Sequence, residues 1–300
     1  MKSKNLIISN PLAGTKNNSK VVDRLLAALA PTQTDTRLCE TKFRGHGEIL
    51  AKDASVDGIS TIIALGGDGT INEVVNGIKL SDSNRKQPNL CILPVGRCNN
   101  FAKSLNISND VSLLVNLLTS KSTRTVDLGK IGERYFLTVA AFGFDAQVAE
   151  YVDAGYHPKF LKGTFAYLYG FIATLPGYVS KNVMLSGDFG SLEIPVFLVA
   201  IANTSTYGGG FNIAPGATPF DGILNLCIVK HVSKLEVLKV LPLVFTGKHT
   251  SHPSVLSRIT KTLDIQTDIP GWIWADGERI SKTPTSINIE KSSLSVISPK

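Results

Sequence analysis

The stretch Ile62–Gly77, IIALGGDGTINEVVNG, passes from an apolar run through three glycines and one aspartate into a helical pattern. Glycines at such a junction let a ligand approach the backbone closely, and the N–H groups and dipole of a helix start favour a phosphate. A tight strand-to-helix turn would use the same glycines. It does not explain Asp68, whose charge would repel a phosphate unless a metal ion or a transferred proton were involved.

Strand and helix patterns alternate on both sides of this stretch. The strand patterns are NLIIS, ISTIIAL and NLCILPV, and the helix patterns are SKVVDRLLAAL, GEILAKDAS, INEVVNGI and VSLLVNLLTS. Such alternation predicts a mostly parallel sheet covered on both faces, with ligands bound beyond the carboxyl ends of its strands. We therefore predict an α/β domain over residues 1–122.

Beyond residue 122 the pattern changes to extended segments with period-two alternation, which predicts antiparallel strands joined by turns. The predicted strand segments are STRTVDLGKIG, ERYFLTVAAFGF, EIPVFLVAI, GILNLCIV, SRITKTLDIQT and TSINIE. Two helical segments interrupt them, near Leu161–Leu175 and Leu235–Phe245. We predict a β-rich second domain over residues 123–291, and we allow the C-terminal tail, residues 292–300, to return to the first domain.

Two further loops are predicted at the ligand edge of the parallel sheet. SNPLAG, Ser9–Gly14, follows the first strand, and LPVGRCNNFAKSL, Leu93–Leu105, follows the strand after the glycine stretch and enters a helix. The carboxyl ends of parallel strands share one edge of a sheet. The three loops, each rich in glycine, asparagine or proline, therefore predict one continuous polar rim.

The blocks NPLAG, GGDGTINEVVNG, PVGRCNNFA, FDGILNL and ADGE occur in the order expected of the diacylglycerol kinase catalytic-domain family. The chain resembles that family, which includes bacterial soluble lipid kinases, sphingosine kinases and ceramide kinases, over essentially its whole length. The resemblance implies a nucleotide-binding α/β domain similar to those of phosphofructokinase and NAD kinase. It also implies a β-rich domain that carries the lipid acceptor and lies across an interdomain cleft.

The resemblance places ATP along the rim, residue by residue. Thr41 matches a threonine that precedes the family's second helix and lies near the nucleotide. The other matching positions are Asn10, Pro11, Leu12, Ala13, Gly14, Gly66, Gly67, Asp68, Gly69, Thr70, Ile71, Asn72, Glu73, Gly96, Arg97 and Asn99.

The block GATPFDGILNL is similar to one that holds a structural Mg²⁺ in bacterial members of the family. By this resemblance Asp221 supplies its side chain, and Thr218 and Ile223 supply carbonyl oxygens. One carboxylate with backbone carbonyls and water suits a hard cation. An Asp-Gly turn that opens a strand is the alternative interpretation.

The block WADGERI places two carboxylates, Asp276 and Glu278, beside Trp272 and Trp274. An exposed hairpin would carry the same residues. The resemblance implies that this pair removes the proton of the acceptor hydroxyl, a task for which a positioned carboxylate is suited. Spacing does not decide which of the two is the base, and Asp68 is a third candidate that we assign chiefly to the magnesium–nucleotide complex.

The third loop departs from the family pattern G-T-x-N-D-F-A at two positions. Here it is GRCNNFA, with Arg97 in place of the threonine and Asn100 in place of the aspartate. Arg97 could hold a phosphate through two hydrogen bonds, or it could occupy part of the purine pocket. Efficient use of ATP is therefore less firmly implied than the fold.

The chain has 300 residues, a net charge of +7 and no run of Lys or Arg, so we predict no nucleic-acid partner. The four cysteines form no metal-binding spacing and suit a reducing cytoplasm. KFLKGTFAYLYGFIATLPGYVSK and KLEVLKVLPLVFTGKH carry lysines around apolar residues. They could line an acyl pocket, contact an anionic membrane peripherally, or form core helices. A homodimer is left open.

The leading hypothesis is a Mg²⁺-dependent lipid kinase of phospholipid metabolism, which transfers the γ-phosphoryl group of ATP to diacylglycerol or a related lipid alcohol. An NAD kinase is the first alternative, because it shares GGDGT, although the ADGE and FDGILNL blocks argue against it. A catalytically weak regulator that binds lipid or nucleotide is the second, because of Arg97 and Asn100.

Overall fold

The structure of the protein is a computed structural model that describes residues 4–14, 18–81 and 86–299. The predicted outer limits of the domains, residues 1 and 300, lie outside these ranges. The chain divides into two units: unit 1 comprises Met1–Val126 and Ser292–Lys300, and unit 2 comprises Asp127–Lys291.

Among the described residues, the first part of the chain contains four strands and five helices before β5. They are β1 (Lys4–Ser9), α1 (Ser19–Leu29), β2 (Asp35–Glu40), α2 (His46–Val56), β3 (Thr61–Gly66), α3 (Asp68–Lys79), β4 (Asn89–Pro94), α4 (Asn100–Ser104) and α5 (Val111–Ser120). Strand β5 (Thr123–Ile131) then leads from unit 1 into unit 2.

The remaining elements are mostly strands. They are β6 (Arg134–Phe136), β7 (Val139–Gly143), α6 (Phe144–Asp153), α7 (Thr164–Thr174), β8 (Lys181–Gly187), β9 (Gly190–Ala202), β10 (Leu224–Lys230), α8 (Lys234–Val244), β11 (Val255–Thr260), β12 (Thr262–Thr267), β13 (Trp272–Ala275), β14 (Glu278–Lys282) and β15 (Thr285–Ile297). The end of β15 returns to unit 1.

Unit 1 is built on a parallel sheet with the strand order β2-β1-β3-β4-β15. Helices α1 and α5 cover one face, where Leu25 and Leu114 pack against Ile7, Ile63 and Leu93. The intervening strand residues are equally buried and point to the other face, and α2 and α3 pack against each other and contact β1 and β3. Both faces are therefore covered, as parallel sheets require.

Unit 2 is dominated by antiparallel pairs. Strand β9, with 13 residues, pairs with β8 through its first half and with β7 and β10 through its second half. Strand β13 joins β7 to the hairpin strand β14, and β12 joins β8 to β15. The predicted fold class, an α/β domain followed by a β-rich domain of antiparallel strands, is confirmed.

Two of the elements that were not predicted from the sequence are strand β2 and helix α6. Strand β2 has the sequence DTRLCE and lies at the sheet edge with no fully buried residue, so it lacks the apolar run of the inner strands. Helix α6 starts directly after β7, and the apolar run of the strand continues into the helix through Gly143 and Phe144. The predicted strand ERYFLTVAAFGF is therefore wrong at its end, where Gly143, at φ 92°, turns the chain into α6.

Helices α2 and α3 approach each other closely at Gly77. A Cβ atom at Gly77 would lie 2.2 Å from the carbonyl oxygen of Glu48 and 2.8 Å from Cβ of Ala51. The contact involves a backbone atom, which cannot move without shifting α2. Glycine is therefore required here by packing, although it lowers the intrinsic stability of α3.

We expect Gly77→Ala to lower the free energy of unfolding by about 1–3 kcal/mol, because the added methyl group overpacks the helix contact. Gly69→Ala in the same helix is the matched control, since no atom lies within 4 Å of its added Cβ. The control should be as stable as the parent or slightly more stable. Urea unfolding of both variants makes the comparison, and equal stabilities would contradict the close approach of α2 and α3.

Candidate functional site

Three loops follow the carboxyl ends of β1, β3 and β4, and backbone hydrogen bonds connect them. The N–H of Asn10 donates to the carbonyl of Leu65 at 3.0 Å, and the N–H of Val95 donates to the carbonyl of Gly66 at 3.0 Å. These bonds continue the strand pairing beyond the strand ends. The predicted loops consequently lie side by side at one edge of unit 1, and we call this edge the glycine rim (residues 10–14, 66–70 and 95–99).

Most glycines of the glycine rim are needed for backbone packing. Gly14 has φ 81°, and a Cβ there would lie 2.3 Å from the carbonyl oxygen of Val95. A Cβ at Gly96 would lie 2.5 Å from Cα of Gly67. Gly69 differs, because it is exposed and its added Cβ would meet no atom within 4 Å. Only at Gly69 among these glycines does the backbone face open space that a ligand could fill.

The first loop is held by the amide of Asn10. Its Nδ2 donates to Oγ1 of Thr70 at 3.1 Å, and its Oδ1 accepts the N–H of Leu12 at 2.9 Å. Thr41 reaches the same edge, because its N–H donates to the carbonyl of Ser9 at 2.8 Å. The structure thus brings Asn10, Thr41 and Thr70 to one edge, as the resemblance implies.

Asp68 links the second loop to the third. Its Oδ2 accepts the N–H of Asn100 at 3.1 Å, and its Oδ1 accepts the N–H of Phe101 at 3.3 Å, so the carboxylate caps the start of α4. Burial raises the pKa of Asp68, while these N–H groups, that of Asn99 and the charge of Lys103 oppose the rise. The aspartate that no turn explained therefore has a structural partner in the neighbouring loop.

Glu73 is directed to α2. Its two carboxylate oxygens accept the N–H groups of Gly45 at 2.7 Å and Gly47 at 2.9 Å, at the start of that helix. Ile71 and Asn72 are buried in unit 1. The side chains of these three predicted phosphate contacts are thus engaged in helix packing and capping.

The two residues of the third loop that depart from the family pattern, Arg97 and Asn100, differ in their exposure. Arg97 is exposed, whereas Asn100 is buried and only 6% accessible. Asn99 adopts a left-handed conformation, φ 51°, and its Nδ2 donates to the carbonyl of Gly96 at 2.9 Å. Its buried Oδ1 has no hydrogen-bond partner within residues 4–14, 18–81 and 86–299. The loop is therefore fixed at Asn99, and the Arg97 side chain is free of the core.

A cavity of about 590 Å³ lies at the opposite, amino-terminal edge of the unit 1 sheet. Its lining includes Asn5, Thr61 and Asn89, near the starts of β1, β3 and β4, with Lys86 and Lys121. Parallel sheets bind ligands at the carboxyl ends of their strands, where chain ends and helix N-termini converge. We therefore place the functional site at the glycine rim, although this cavity is well formed.

In unit 2, Asp276 lies at the tip of the β13–β14 hairpin. Asp276 and Gly277 both have positive φ, 50° and 82°, which is the two-residue turn that an Asp-Gly pair favours. The Asp276 carboxylate accepts the N–H of Leu137 at 2.6 Å and the N–H of Thr138 at 3.0 Å, and it also accepts the Thr138 hydroxyl. Three donors thus bind this carboxylate to the start of β7.

Glu278 lies at the start of β14. An oxygen of its half-buried carboxylate lies 3.9 Å from Nη2 of Arg134. On the same hairpin the Arg279 guanidinium lies 4.4 Å from the ring centre of Trp272, while Trp274 is buried against α6. Of the two carboxylates predicted as candidate bases, Asp276 is thus fixed by backbone donors, and Glu278 lies near a guanidinium group.

The predicted magnesium residues lie on the loop that opens β10. Oδ1 of Asp221 accepts the N–H of Ile223 at 3.1 Å, and Thr218 precedes it in the same loop. Sequence reasoning missed Asp127, a buried carboxylate whose Oδ2 accepts the N–H of Gly222 at 2.6 Å. The signal was an acidic residue inside the apolar run VDLG of a strand.

The two carboxylates affect each other. Partial burial raises the pKa of Asp221, the negative charge of Asp127 adds to the rise, and the N–H of Ile223 and the charge of Lys291 oppose it. Within the described residues no group of three or more His, Cys, Asp or Glu side chains could hold a metal ion. The donor set at Asp221 is of another kind, one carboxylate with carbonyls, and the repulsion from Asp127 is what a bound cation would offset.

Asp145 is a second carboxylate that the sequence analysis did not select. It lies in the first turn of α6, and burial raises its pKa to about 6, against which a hydrogen bond from the Tyr207 hydroxyl acts. The strand-glycine-helix junction at Gly143 has the same pattern as the junction before Asp68. That pattern could have identified Asp145, but it was not recognised because helix α6 was not predicted from the sequence.

Comparison with known proteins divides the chain close to the boundary between unit 1 and unit 2. Residues 4–131 match the family described as Diacylglycerol kinase catalytic domain. Residues 138–298 match the family described as YegS C-terminal NAD kinase beta sandwich-like domain. The chain belongs to the diacylglycerol kinase family. The predicted family is confirmed.

Individual members of the diacylglycerol kinase family align over nearly the full chain. A diacylglycerol kinase of Staphylococcus epidermidis is 30% identical over 301 residues, which cover 100% of this chain and 93% of that protein. One of Staphylococcus carnosus is 27% identical over 300 residues, 100% of this chain and 96% of that protein. A crystal structure of a diacylglycerol kinase from Bacillus anthracis str. Sterne superposes with a TM-score of 0.75 at 21% identity, covering 99% of this chain and 97% of that one. The last likeness concerns the fold.

Among the helices that the structure describes, none combines the length and the apolar character needed to cross a membrane.

The raised pKa of Asp145 predicts a pH dependence of stability. In the unfolded chain the carboxyl group titrates near its ordinary value of 3.8, and in the folded protein near 6. Between about pH 4 and pH 6 the carboxyl group is therefore largely ionised in the unfolded chain but still protonated in the folded protein. The free energy of unfolding consequently falls as the pH rises through this range. Asp145→Asn should remove that loss and be more stable than the parent at pH 7.5 by about 1–3 kcal/mol, but not at pH 4.

Urea unfolding of parent and variant at the two pH values makes this measurement. Glu150→Gln is the matched control, because it removes the same charge at an exposed position of α6. A stability difference for Asp145→Asn that does not change with pH would contradict the burial of the Asp145 charge.

Proposed function

We propose that the protein is a lipid kinase that transfers the γ-phosphoryl group of ATP to the hydroxyl of diacylglycerol or a related lipid alcohol, with Mg²⁺. The observation that carries the proposal is membership of the diacylglycerol kinase family over both units. The relatives' names supply the acceptor class. The geometry of the glycine rim and of the β13–β14 hairpin supports roles for individual residues.

We assign ATP binding to the glycine rim. Its polyphosphate would approach Gly69, where the backbone faces open space, and the helix start at Asp68–Thr70 offers N–H groups. Asn10–Gly14, Thr41, Gly96, Arg97 and Asn99 would complete the contacts. Glu73 would act indirectly, because it holds the start of α2.

We assign the general base to Glu278. A lipid hydroxyl is a weak nucleophile until a base accepts its proton, which typically contributes about 10²–10⁴-fold to the rate. Asp276 binds three donors and would act as a positioning residue that fixes the hairpin tip. Because these three hydrogen bonds engage the Asp276 carboxylate, we assign proton transfer to the other carboxylate of the pair, Glu278.

Two carboxylates would serve Mg²⁺. Asp221, with the carbonyls of Thr218 and Ile223, fits a hard cation, and the charge of Asp127 next to it favours one. Asp68 stays a candidate contact of the magnesium–nucleotide complex, because a carboxylate has more lone pairs than its two N–H partners use. When bound with ATP, Mg²⁺ neutralises charge on the phosphoryl group being transferred.

We also propose that the protein works in the cytoplasm and contacts membranes peripherally. ATP is the phosphoryl donor of the proposed reaction, and the acceptor is held in a lipid bilayer. The protein would therefore reach its acceptor from the side of the membrane that supplies ATP.

The proposal predicts that the protein transfers label from γ-labelled ATP to a dispersed lipid alcohol in the presence of Mg²⁺. Glu278→Gln should lower kcat by about 10²–10⁴-fold with little change in stability, because it removes the base and keeps the shape. Glu193→Gln, an exposed position of β9, is the matched control for the loss of one carboxylate and should keep full activity. Mass spectrometry of the lipid extract identifies the product.

The same assay includes NAD as an acceptor. Label in NAD alone would reassign the protein as an NAD kinase. Nucleotide or lipid binding by calorimetry without transfer to any acceptor would instead favour a regulator. That role is suggested by Arg97 and Asn100, which depart from the family pattern.

A further inference from the structure

Helices α7 and α8 of unit 2 lie next to each other on a shared apolar cluster. Tyr167 and Phe171 of α7 and Val237 of α8 pack against the cluster that contains Phe144 and Phe197. The ammonium group of Lys234, at the start of α8, donates to the carbonyl of Pro176, just after α7. The inner faces of both helices are thus occupied.

The outer face of α7 is apolar as well. Phe165, Leu168, Tyr169 and Ile172 follow the i, i+3, i+4, i+7 spacing that places side chains on one side of a helix, and all four are exposed. A surface helix of a globular protein normally carries polar residues on the side away from the core. This second apolar stripe is therefore not explained by the fold of unit 2.

The outer face of α8 continues the pattern. No residue of α8 is fully buried, and Leu235 is 72% accessible. Phe160, in the segment before α7, is 82% accessible. We call the whole set the α7–α8 surface. It comprises Tyr156, Phe160, Phe165, Leu168, Tyr169, Ile172, Val179, Leu235, Leu238, Leu243 and Phe245, all exposed.

The two chain segments that carry the α7–α8 surface are rich in lysine. The segment between Asp153 and Asp188 contains three lysines and no acidic residue, and the segment from Val229 to Leu256 contains four lysines and one glutamate. That glutamate, Glu236, lies 3.1 Å from Nε2 of His252. On these two segments the apolar side chains are thus accompanied by more cations than acidic side chains.

We propose that the α7–α8 surface docks on a lipid bilayer that contains anionic lipids. The exposed aromatic and aliphatic side chains would enter the region between headgroups and acyl chains, and the lysines would contact anionic headgroups. The inference rests on the proposed function, because a lipid acceptor has to be reached in its membrane, but docking itself requires no catalysis. A second copy of the chain fits less well, because a symmetric pair would place lysines opposite lysines.

Sedimentation of the full chain with lipid vesicles tests the proposal. We expect strong binding to phosphatidylcholine vesicles with about one-quarter phosphatidylglycerol, weaker binding to phosphatidylcholine alone, and a decrease with added salt. Phe165→Ser with Leu235→Ser should weaken binding to the anionic vesicles by about tenfold or more, because two apolar side chains no longer enter the bilayer.

Matched variants separate docking from general effects on the protein. Ile49→Ser with Ile259→Ser changes two exposed apolar residues outside the α7–α8 surface and should bind like the parent. Lys162→Glu with Lys239→Glu keeps the apolar residues and should lose binding to anionic vesicles only. Circular dichroism and the thermal midpoint confirm that each variant is folded.

The outcomes are distinct. Equal binding by the parent and by the Phe165/Leu235 variant, or no binding by the parent, would overturn the proposal. A parent dimer in light scattering that this variant dissociates would assign the surface to a second copy instead. Glu278→Gln should bind vesicles like the parent, so that a protein that binds vesicles without phosphorylating lipid would contradict the proposed function and leave the docking surface intact.

Discussion

The carboxylate of Asp68 is the constraint on which the glycine rim depends. It starts α3 and at the same time accepts the first N–H groups of α4, and it thereby fixes the second loop relative to the third. The Cα atoms of Gly67 and Gly96 meet at the same place, where a side chain on either residue would crowd the other backbone. Burying a charge is costly unless hydrogen bonds offset it, and the N–H groups of a helix start provide that offset.

These contacts fix the backbone of the glycine rim, and of its glycines Gly69 faces open space. Gly14, Gly67 and Gly96 are occupied by backbone neighbours, so their glycines are explained by the fold alone. Gly69 lies in the first turn of α3, and a Cβ atom added there would meet no atom within 4 Å. A polyphosphate there would meet preorganised N–H groups, and the protein would not have to reorganise to bind it.

The acidic residues of the sequence motifs fall into two groups in the structure. Asp68, Glu73 and Asp276 accept backbone N–H groups from distant segments and hold loops or helices in place. Glu278 and Asp221 are the residues to which we assign proton transfer and metal binding. Acidic residues of these motifs thus have different roles, because some hold the backbone in place and others are assigned to proton transfer or metal binding.

Patterns of short range predicted much of the fold. SKVVDRLLAAL and VSLLVNLLTS match α1 and α5, because each helix has an apolar side that contacts the sheet. Edge strand β2 has no such contact, and its polar sequence carried no signal. Helix α6 was hidden because an apolar run crosses the Gly143 turn.

The candidate site was less predictable, because its partners are distant along the chain. Asp276 accepts the N–H of Thr138, 138 residues earlier, and Asp127 accepts the N–H of Gly222, 95 residues later. Motif spacing shows which residues are grouped on one loop. It does not show which carboxylates are bound to backbone donors, as Asp276 is.

Hydrogen–deuterium exchange of the full chain with and without Mg²⁺ and ATP tests the central claim most directly. Nucleotide at the glycine rim should slow exchange of the amides in residues 10–14, 66–73 and 96–100, because bound phosphate shields or accepts their N–H groups. Unchanged exchange in those segments, with protection appearing instead around Asn5, Thr61 and Asn89 at the opposite edge of the sheet, would contradict it.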